Sequence, residues 1–245
     1  MRTLRAAGHL LLALLPSALK IPLYRWLFGY HIGRGVRIGL SPFVGIEECS
    51  IGDGVRIGHF NLFIDVDRIE LGDRVQIGFL NVLRGGSRIT IGSYSSLLRR
   101  NVLNSIPEPD IVTEAVPEID LGSGVVITAG HWLDFTDRIR IGAHSIIGGR
   151  NSSFWTHNRQ RTRGIEVGHH CYFGSEVRIA PGAAVADLCI VALGSVVLTR
   201  FDDPRVLIVG NPAVAQRTLG ERDLFLVTRK TRNDIPDELA GEGVD

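Results

Sequence analysis

A six-residue repeat runs through most of this sequence and excludes nearly every other fold class. Its unit is an aliphatic residue, usually a glycine, two free positions and then a small residue. Ile32-Gly33-Arg34-Gly35-Val36, Ile51-Gly52-Asp53-Gly54-Val55, Leu71-Gly72-Asp73-Arg74-Val75, Leu121-Gly122-Ser123-Gly124-Val125 and Val167-Gly168-His169-His170-Cys171 are examples. β-Branched residues and glycines at fixed spacing oppose a 3.6-residue period, so helices are excluded here. Such periodicity means a solenoid, and three units make one coil because three short strands close a triangular turn. Eight coils start at Ile32, Ile51, Leu71, Ile91, Leu121, Ile141, Val167 and Val185, with spacings of 19, 20, 20, 30, 20, 26 and 18 residues. Two of these spacings stand out and mark insertions, one around 104–118 with Pro107, Pro109 and Pro117, the other around 154–164.

Stacked coils place equivalent residues about 4.8 Å apart, so columns of the repeat have physical meaning. An aliphatic column two residues before the coil starts holds Ile69, Ile89, Ile119, Ile139 and Ile165, with Cys49 in an earlier coil. Cys171 and Cys189 share the small-residue slot. Three thiols in these positions, odd in number and without metal-ligand spacing, read as buried small hydrophobes in a reducing compartment. A second column is polar. Four residues beyond Ile57, Ile77, Leu97, Ile127 and Ile147 stand Asn61, Asn81, Asn101, His131 and Asn151. Stacked amides can hydrogen-bond along the solenoid axis and satisfy one another. The ladder stops at Val177, where the coil period falls to 18. That change separates a scaffold half from a functional half.

A net charge of +1 gives no electrostatic footprint for nucleic acid. Of the 27 basic residues only Lys20 and Lys230 are lysine. Arginine forks onto phosphate and carboxylate, although genome composition produces the same bias. Residues 1–30 are read as short helices capping the open end of the solenoid. Apolar and basic residues alternate there, so association with a membrane surface is the alternative. A cleaved signal ending near Pro16-Ser17-Ala18 comes third, and the run Leu10 to Leu15 is far below the ~20 residues of a membrane span. The solenoid occupies 31–200 and a C-terminal arm 201–245, with a helix or arm from Leu219 to about Lys230 and a mobile acidic tail from Asp237 to Asp245. No interdomain linker is visible, so the chain is one domain.

Together with Gly210-Asn211-Pro212-Ala213 after the last coil, the repeat resembles the hexapeptide-repeat acyltransferases over roughly residues 31–220. Within them it is similar to O-acetyltransferases acting on sugars and in polysaccharide biosynthesis. The resemblance implies a left-handed parallel β-helix. Handedness rests on it alone, because the general preference for right-handed crossovers points the other way. It also implies a homotrimer with sites between neighbouring subunits and an enzyme with no permanently bound cofactor or metal that uses acetyl-CoA or another acyl-CoA as co-substrate and a carbohydrate as acceptor. The reducing compartment read from the cysteines makes it cytoplasmic, with a place at the inner face of the membrane as the alternative.

In that family the catalytic histidine lies in or beside an inserted loop upstream of the regular C-terminal coils, which here is Phe154-Trp155-Thr156-His157-Asn158-Arg159. His157 is thus the candidate general base. A hydroxyl is a poor nucleophile until its proton leaves, and imidazole, with an ordinary pKa near 6.5, suits that task. By register Asp137 shares the corner of His157 one coil earlier and is the candidate for fixing its tautomer. Trp155 and Arg159 flank the base and can stack on or hydrogen-bond a sugar, and His131 is a third candidate substrate contact. The coenzyme A positions carried over are Ser175, Leu193, Thr199, Arg200 and Arg217. The family more often has Ala or Gly where Leu193 stands, and Thr199-Arg200 falls one residue later than its usual Thr-Lys pair.

Three other readings compete. An amine on an amino sugar would need the same base, and a non-catalytic scaffold would need none of these residues. The gamma-class carbonic anhydrases share the fold but bind zinc through a close histidine pair, and no histidine follows His157 until His169. Serine acetyltransferases carry a substantial helical domain that thirty residues cannot supply.

Overall fold

The protein is represented by a computed structural model that describes residues 2–107 and 114–241, with side chains from Gly8 onward. Pro109 of the first insertion and the last four residues of the acidic tail lie outside the described residues. The chain winds into a β-solenoid with three parallel faces. Face 1 stacks nine strands from His31–Ile32 to Arg200–Phe201, and face 3 stacks eight from Phe43–Val44 to Val196–Val197. Face 2 holds ten, from Arg37–Ile38 to Val206–Gly210 plus a last strand, Ala213–Thr218, that folds back antiparallel. The solenoid therefore continues past residue 200 into a ninth turn, one more than the eight coils counted from the repeat.

The columns carry the packing. Cys49, Ile69, Ile89, Ile119, Ile139 and Ile165 are successive register partners and all are buried. The three cysteines are free and buried, and burial pushes the Cys49 thiol up to about 12 and raises those of Cys171 and Cys189. The repeat glycine is enforced by stacking. A Cβ on Gly52 would lie 2.4 Å from Asp73 Oδ1 and 2.8 Å from the Gly72 carbonyl carbon.

The polar ladder forms along the inside of the corner between faces 2 and 3. Asn61 Oδ1 accepts from the Asn81 backbone N–H at 3.0 Å and from Asn81 Nδ2 at 2.9 Å, and Asn81 Oδ1 accepts likewise from Asn101 at 3.0 and 3.1 Å. His131 N donates to Asn101 Oδ1 at 3.0 Å. The next rung is not Asn151. Ile127 pairs with Ile147 but Ala129 pairs with Arg150, so the chain gains a residue at Gly148-Gly149, where Gly149 has φ +64°. This bulge turns Asn151 out to solvent and puts Ser152 in the column, with its N–H on His131 Nδ1 at 3.1 Å. Serines end the ladder on both sides. Ser41 Oγ accepts from Asn61 N at 3.0 Å, and Ser152 Oγ from Val177 N at 3.2 Å.

The first coil of the solenoid is covered by helices, which removes its open strand edges. Helices α1 (Arg2–Ala13) and α2 (Ser17–Phe28) lie over the first coil, where Tyr24 packs between Tyr30 and Phe43 with ring centroids 5.7 Å from each. The C-terminal arm holds α3 (Glu221–Thr228) and α4 (Asp237–Ala240) and runs back over the corner between faces 1 and 2. Alternate carbonyls of this corner accept from the next coil, as Ser93 does from Gly124 N, and the arm supplies donors to others. Thr231 Oγ1 donates to the Gly124 carbonyl at 2.6 Å, and Arg232 Nη1 to those of Arg74 and Tyr94 at 3.0 Å each.

The arm also covers two histidines. His144 and His170, which fill free positions of the repeat, are buried under the arm with rings 5.0 Å apart. His144 Nε2 meets the Leu239 carbonyl at 2.6 Å and His170 Nδ1 that of Val227 at 3.2 Å. Residues Asp237–Ala240 form α4, whose Leu239 carbonyl makes the His144 contact.

Candidate active site

The second insertion leaves the solenoid at the corner between faces 3 and 1. Its preceding strand, Ser153–Trp155, pairs with Trp132–Asp134 one coil earlier. The insertion is a tight hairpin. His157 and Thr162 face each other in an antiparallel bridge, Arg163 N donates to the Thr156 carbonyl at 2.7 Å, and Asn158 N to that of Arg161 at 2.9 Å. Asn158 Oδ1 closes the tip by accepting from Gln160 N and Arg161 N at 2.8 and 3.0 Å, a turn that asparagine makes with its own side chain. His157 thus stands at the base of a braced hairpin and not on a loose loop.

His157 Nδ1 lies 2.8 Å from Asp134 Oδ1. A carboxylate can only accept, so Nδ1 carries the hydrogen and Nε2 keeps its lone pair. Nε2 has no partner among the described residues, and the imidazole side chain is 21% exposed while that of Asp134 is 2% exposed. Asp134 is held in turn. Its Oδ1 accepts from Thr136 N at 3.3 Å and lies 3.1 Å from Thr156 Oγ1, which itself accepts from Asp137 N at 2.9 Å. The result is a fixed imidazole with one basic nitrogen turned outward.

Asp137 does not meet His157. Its Oδ1 accepts from Val116 N at 3.0 Å and Arg138 N at 2.8 Å. The residue gained at Gly148-Gly149 pairs Leu133 with Phe154 and Asp134 with Trp155, one step away from the register that points to Asp137. Asp134 stands on the outer row of face 3 and is covered by the Thr156–His157 turn. His131 does not reach the site either. It is buried, its Nδ1 accepts from Ser152 N, and its Nε2 lies 3.0 Å from Thr128 Oγ1. That hydroxyl sits 2.7 Å from the Gly149 carbonyl, to which it can donate, so His131 Nε2–H donates to it and both ring nitrogens are used. Burial lowers the His131 pKa to about 4.

Trp155 lies beside the base, ring to ring at 6.4 Å and 70°, and stacks on Trp132 at 5.9 Å and 20°. Both indoles are half exposed and make one flat apolar surface. Trp132 escapes a reading by motif. Its signal is an outward-facing indole on the coil just before that of Trp155. A trough of about 510 Å³ continues along the same corner toward the first coils. Among the described residues its lining includes Asp65, Arg84, Ser105 and Thr136, the last of which touches Asp134 through its N–H.

The positions carried over for coenzyme A fall on different parts of the solenoid. Ser175 and Leu193 follow face 2 strands and lie at the corner between faces 2 and 3, where Gly194 N donates to the Ser175 carbonyl at 2.9 Å and Leu193 is exposed. Thr199 follows the last face 3 strand, at the corner that carries His157. Arg200 begins the last face 1 strand and is paired with Glu166 and Asp202 at 3.2 and 3.1 Å. Arg217 lies on the returning strand, where its guanidinium grips Asp223 at 2.6 and 3.3 Å. Arg159 is exposed on the hairpin.

No family model matches the chain, and no curated protein matches it by sequence. Solved structures do match. NeuO, a polysialic acid-specific acetyltransferase, is 15% identical over 85% of this chain and 86% of its own, with a TM-score of 0.51. The polysialic acid O-acetyltransferase OatWY is 15% identical over 85% and 95%, with a TM-score of 0.38. A mutant of the N-acyltransferase AntD from Bacillus cereus, in complex with dTDP and coenzyme A, is 17% identical over 84% and 91%, with a TM-score of 0.33. At these identities the likeness speaks to fold, and only the NeuO superposition is close enough to carry weight. The chain is a hexapeptide-repeat β-solenoid whose fold is similar to that of an acetyltransferase, NeuO.

Proposed function

We propose that the protein transfers an acyl group, in first place acetyl, from coenzyme A to a hydroxyl of a sugar or glycan, with His157 as general base and Asp134 as its positioning residue. The observation that carries this reading is the 2.8 Å His157–Asp134 hydrogen bond, which leaves Nε2 basic and outward on the corner along which the trough runs. In the reaction Nε2 takes the proton of the acceptor hydroxyl as its oxygen attacks the thioester carbonyl. The tetrahedral intermediate then expels the coenzyme A thiolate, which recovers the proton from the imidazolium. Ester and free thiol are the products. Asp134 stabilises the transient imidazolium and keeps the ring in its reactive tautomer.

The acceptor fits the trough and the indole pair. A volume of about 510 Å³ suits a sugar-sized ligand. Asp65, Arg84 and Ser105 offer hydrogen bonds to hydroxyls, and Trp132 and Trp155 offer a face on which the apolar side of a pyranose ring stacks. Arg159 remains a candidate contact from the hairpin.

For the donor, the reading follows the family that the repeat resembles. Ser175 and Leu193 lie at one corner and His157 and Thr199 at another, separated by the width of face 3. A site using both sets needs two copies of the chain, with the His157 corner of one against the Ser175 corner of the next, and three such contacts close a homotrimer. Arg200 and Arg217 would have to exchange their carboxylate partners for phosphate, which leaves them the weakest members of the donor set.

The test is release of free thiol from acetyl-CoA in the presence of candidate sugars, with His157→Ala as control. Turnover that survives the substitution, or that no sugar stimulates, overturns the reading.

A further inference from the structure

We propose that the N-terminal helical cap docks the protein on an anionic lipid surface. The reading stands apart from acyl transfer and rests on how the cap distributes its side chains. Helix α2 contains two charged residues, and both are tied to backbone carbonyls, Lys20 buried and Arg25 at the surface. Lys20 is buried, with Nζ on the carbonyls of Ala13 and Gly39 at 2.7 Å each, and burial lowers its pKa. Arg25 donates to the carbonyls of Ile32 and Gly33. Apart from Arg25, the large side chains that the cap shows to solvent are apolar among the described residues. Leu10 and Leu11 of α1, Leu14 just beyond it, and Leu19, Trp26 and Leu27 of α2 are all exposed, Leu11 by 69%, Leu14 by 70% and Trp26 by 79%. A surface facing only water has the opposite arrangement.

Charge selects the occupant. The first 46 residues hold six Arg or Lys and no Asp or Glu, the first acidic residue being Glu47, while the rest of the chain has a net negative balance. On the first coil, beside the helices, Arg34 and Arg37 are exposed and their guanidinium groups have no carboxylate partner among the described residues. An apolar face with an exposed indole, with exposed arginines beside it and no acidic residue before Glu47, is the arrangement that enters the headgroup region of an anionic bilayer. A second copy meeting this one cap to cap would bring two acid-free cationic ends together, which like-charge repulsion disfavours. Among the described residues no helix is long and apolar enough to cross a membrane, so the contact is with one leaflet. The solenoid axis then stands away from the bilayer, and its flanks, including the His157 corner, stay open to a glycan.

The experiment uses the full chain and sedimentation with vesicles of phosphatidylcholine alone or mixed with phosphatidylglycerol. The chain is expected to bind the mixed vesicles only. Leu11→Ser with Trp26→Ser should weaken binding by roughly tenfold or more, and Arg34→Gln with Arg37→Gln should weaken it and flatten its salt dependence. An independent readout needs no change to the cap. In a Trp132→Phe, Trp155→Phe chain, Trp26 is the remaining indole, and brominated lipid should quench it. Failure to bind the mixed vesicles overturns the proposal, as does binding unchanged by the apolar pair or an unquenched Trp26. A fall in the sedimentation coefficient of the lipid-free protein on replacing the apolar pair also overturns it, by showing that protein covers the face.

Discussion

His131 and His157 carry the same side chain on neighbouring coils, and their surroundings give them opposite chemistry. His131 lies inside the corner between faces 2 and 3, a rung in a column of amides, with both nitrogens occupied and its pKa lowered to about 4 by burial. His157 lies outside the next corner, with one nitrogen tied to a buried carboxylate and the other open. A column that repeats every coil builds structure. A residue where the repeat is interrupted is free to do chemistry.

The comparison breaks most readily at His157. Replacing it with alanine should lower kcat by ~10²–10⁴, the usual worth of a positioned base, while chemical denaturation shows nearly unchanged stability because the side chain is partly exposed. Should the stability fall and the rate persist, His157 would belong with His131 as a structural residue. The next largest effect is expected at Asp134. Asp134→Asn replaces a pure acceptor with an amide that can also donate, so the Nδ1–H tautomer is no longer enforced, and kcat should fall ~10²-fold or more with KM for the acyl donor little changed. Asp137→Asn keeps an oxygen for Val116 and Arg138 and should stay within about threefold of the parent chain. Steady-state kinetics on the two variants decides between the carboxylates.

The contrast between these aspartates shows how far the sequence is legible. The columns can be read residue by residue through Ile127, because hydrophobic periodicity and stacking are local and regular. At Gly148-Gly149 one residue is gained, and a count of fixed period passes over it. Everything downstream in that coil shifts by one, so Asn151 is exchanged for Ser152 in the ladder and His157 comes level with Thr136, not Asp137, before the Thr156–His157 turn folds back onto Asp134. The signal was the glycine pair itself, since a bulge favours a residue that accepts positive φ. His157 was legible because an insertion changes the spacing of coils. The C-terminal arm over His144 and His170 was not, because its contacts join residues about a hundred positions apart and leave no periodic trace.

The ladder side of the comparison can be tested through Asn81. Asn81→Ala removes the acceptor of the buried Asn101 N–H and Nδ2–H, while Asn61 Oδ1 keeps the backbone N–H of residue 81, and unsatisfied groups of this kind cost about 1–3 kcal/mol each. A loss of about 3 kcal/mol in urea unfolding is expected, with kcat unchanged in the folded protein. A loss in kcat of the kind expected for His157→Ala would mean that scaffold and site are not separable.

The smallest effect follows from protonation of His131. In the unfolded chain imidazole titrates near its ordinary value of about 6.5, whereas in the folded protein it does so at about 4. Between these values the unfolded state binds the extra proton, so stability contributed by the neutral ring is complete above about pH 6.5 and is lost as pH falls toward 4. The difference amounts to about 3 kcal/mol at the acid end. His131→Asn places in the column a group that can accept from Ser152 N as Asn81 accepts from Asn101, and that cannot take up a proton. The variant should match the parent within about 1 kcal/mol at pH 7 and overtake it at pH 4.5, measured as the urea midpoint at each pH. Parallel pH profiles for the two chains would show that His131 is not the group that softens the solenoid in acid.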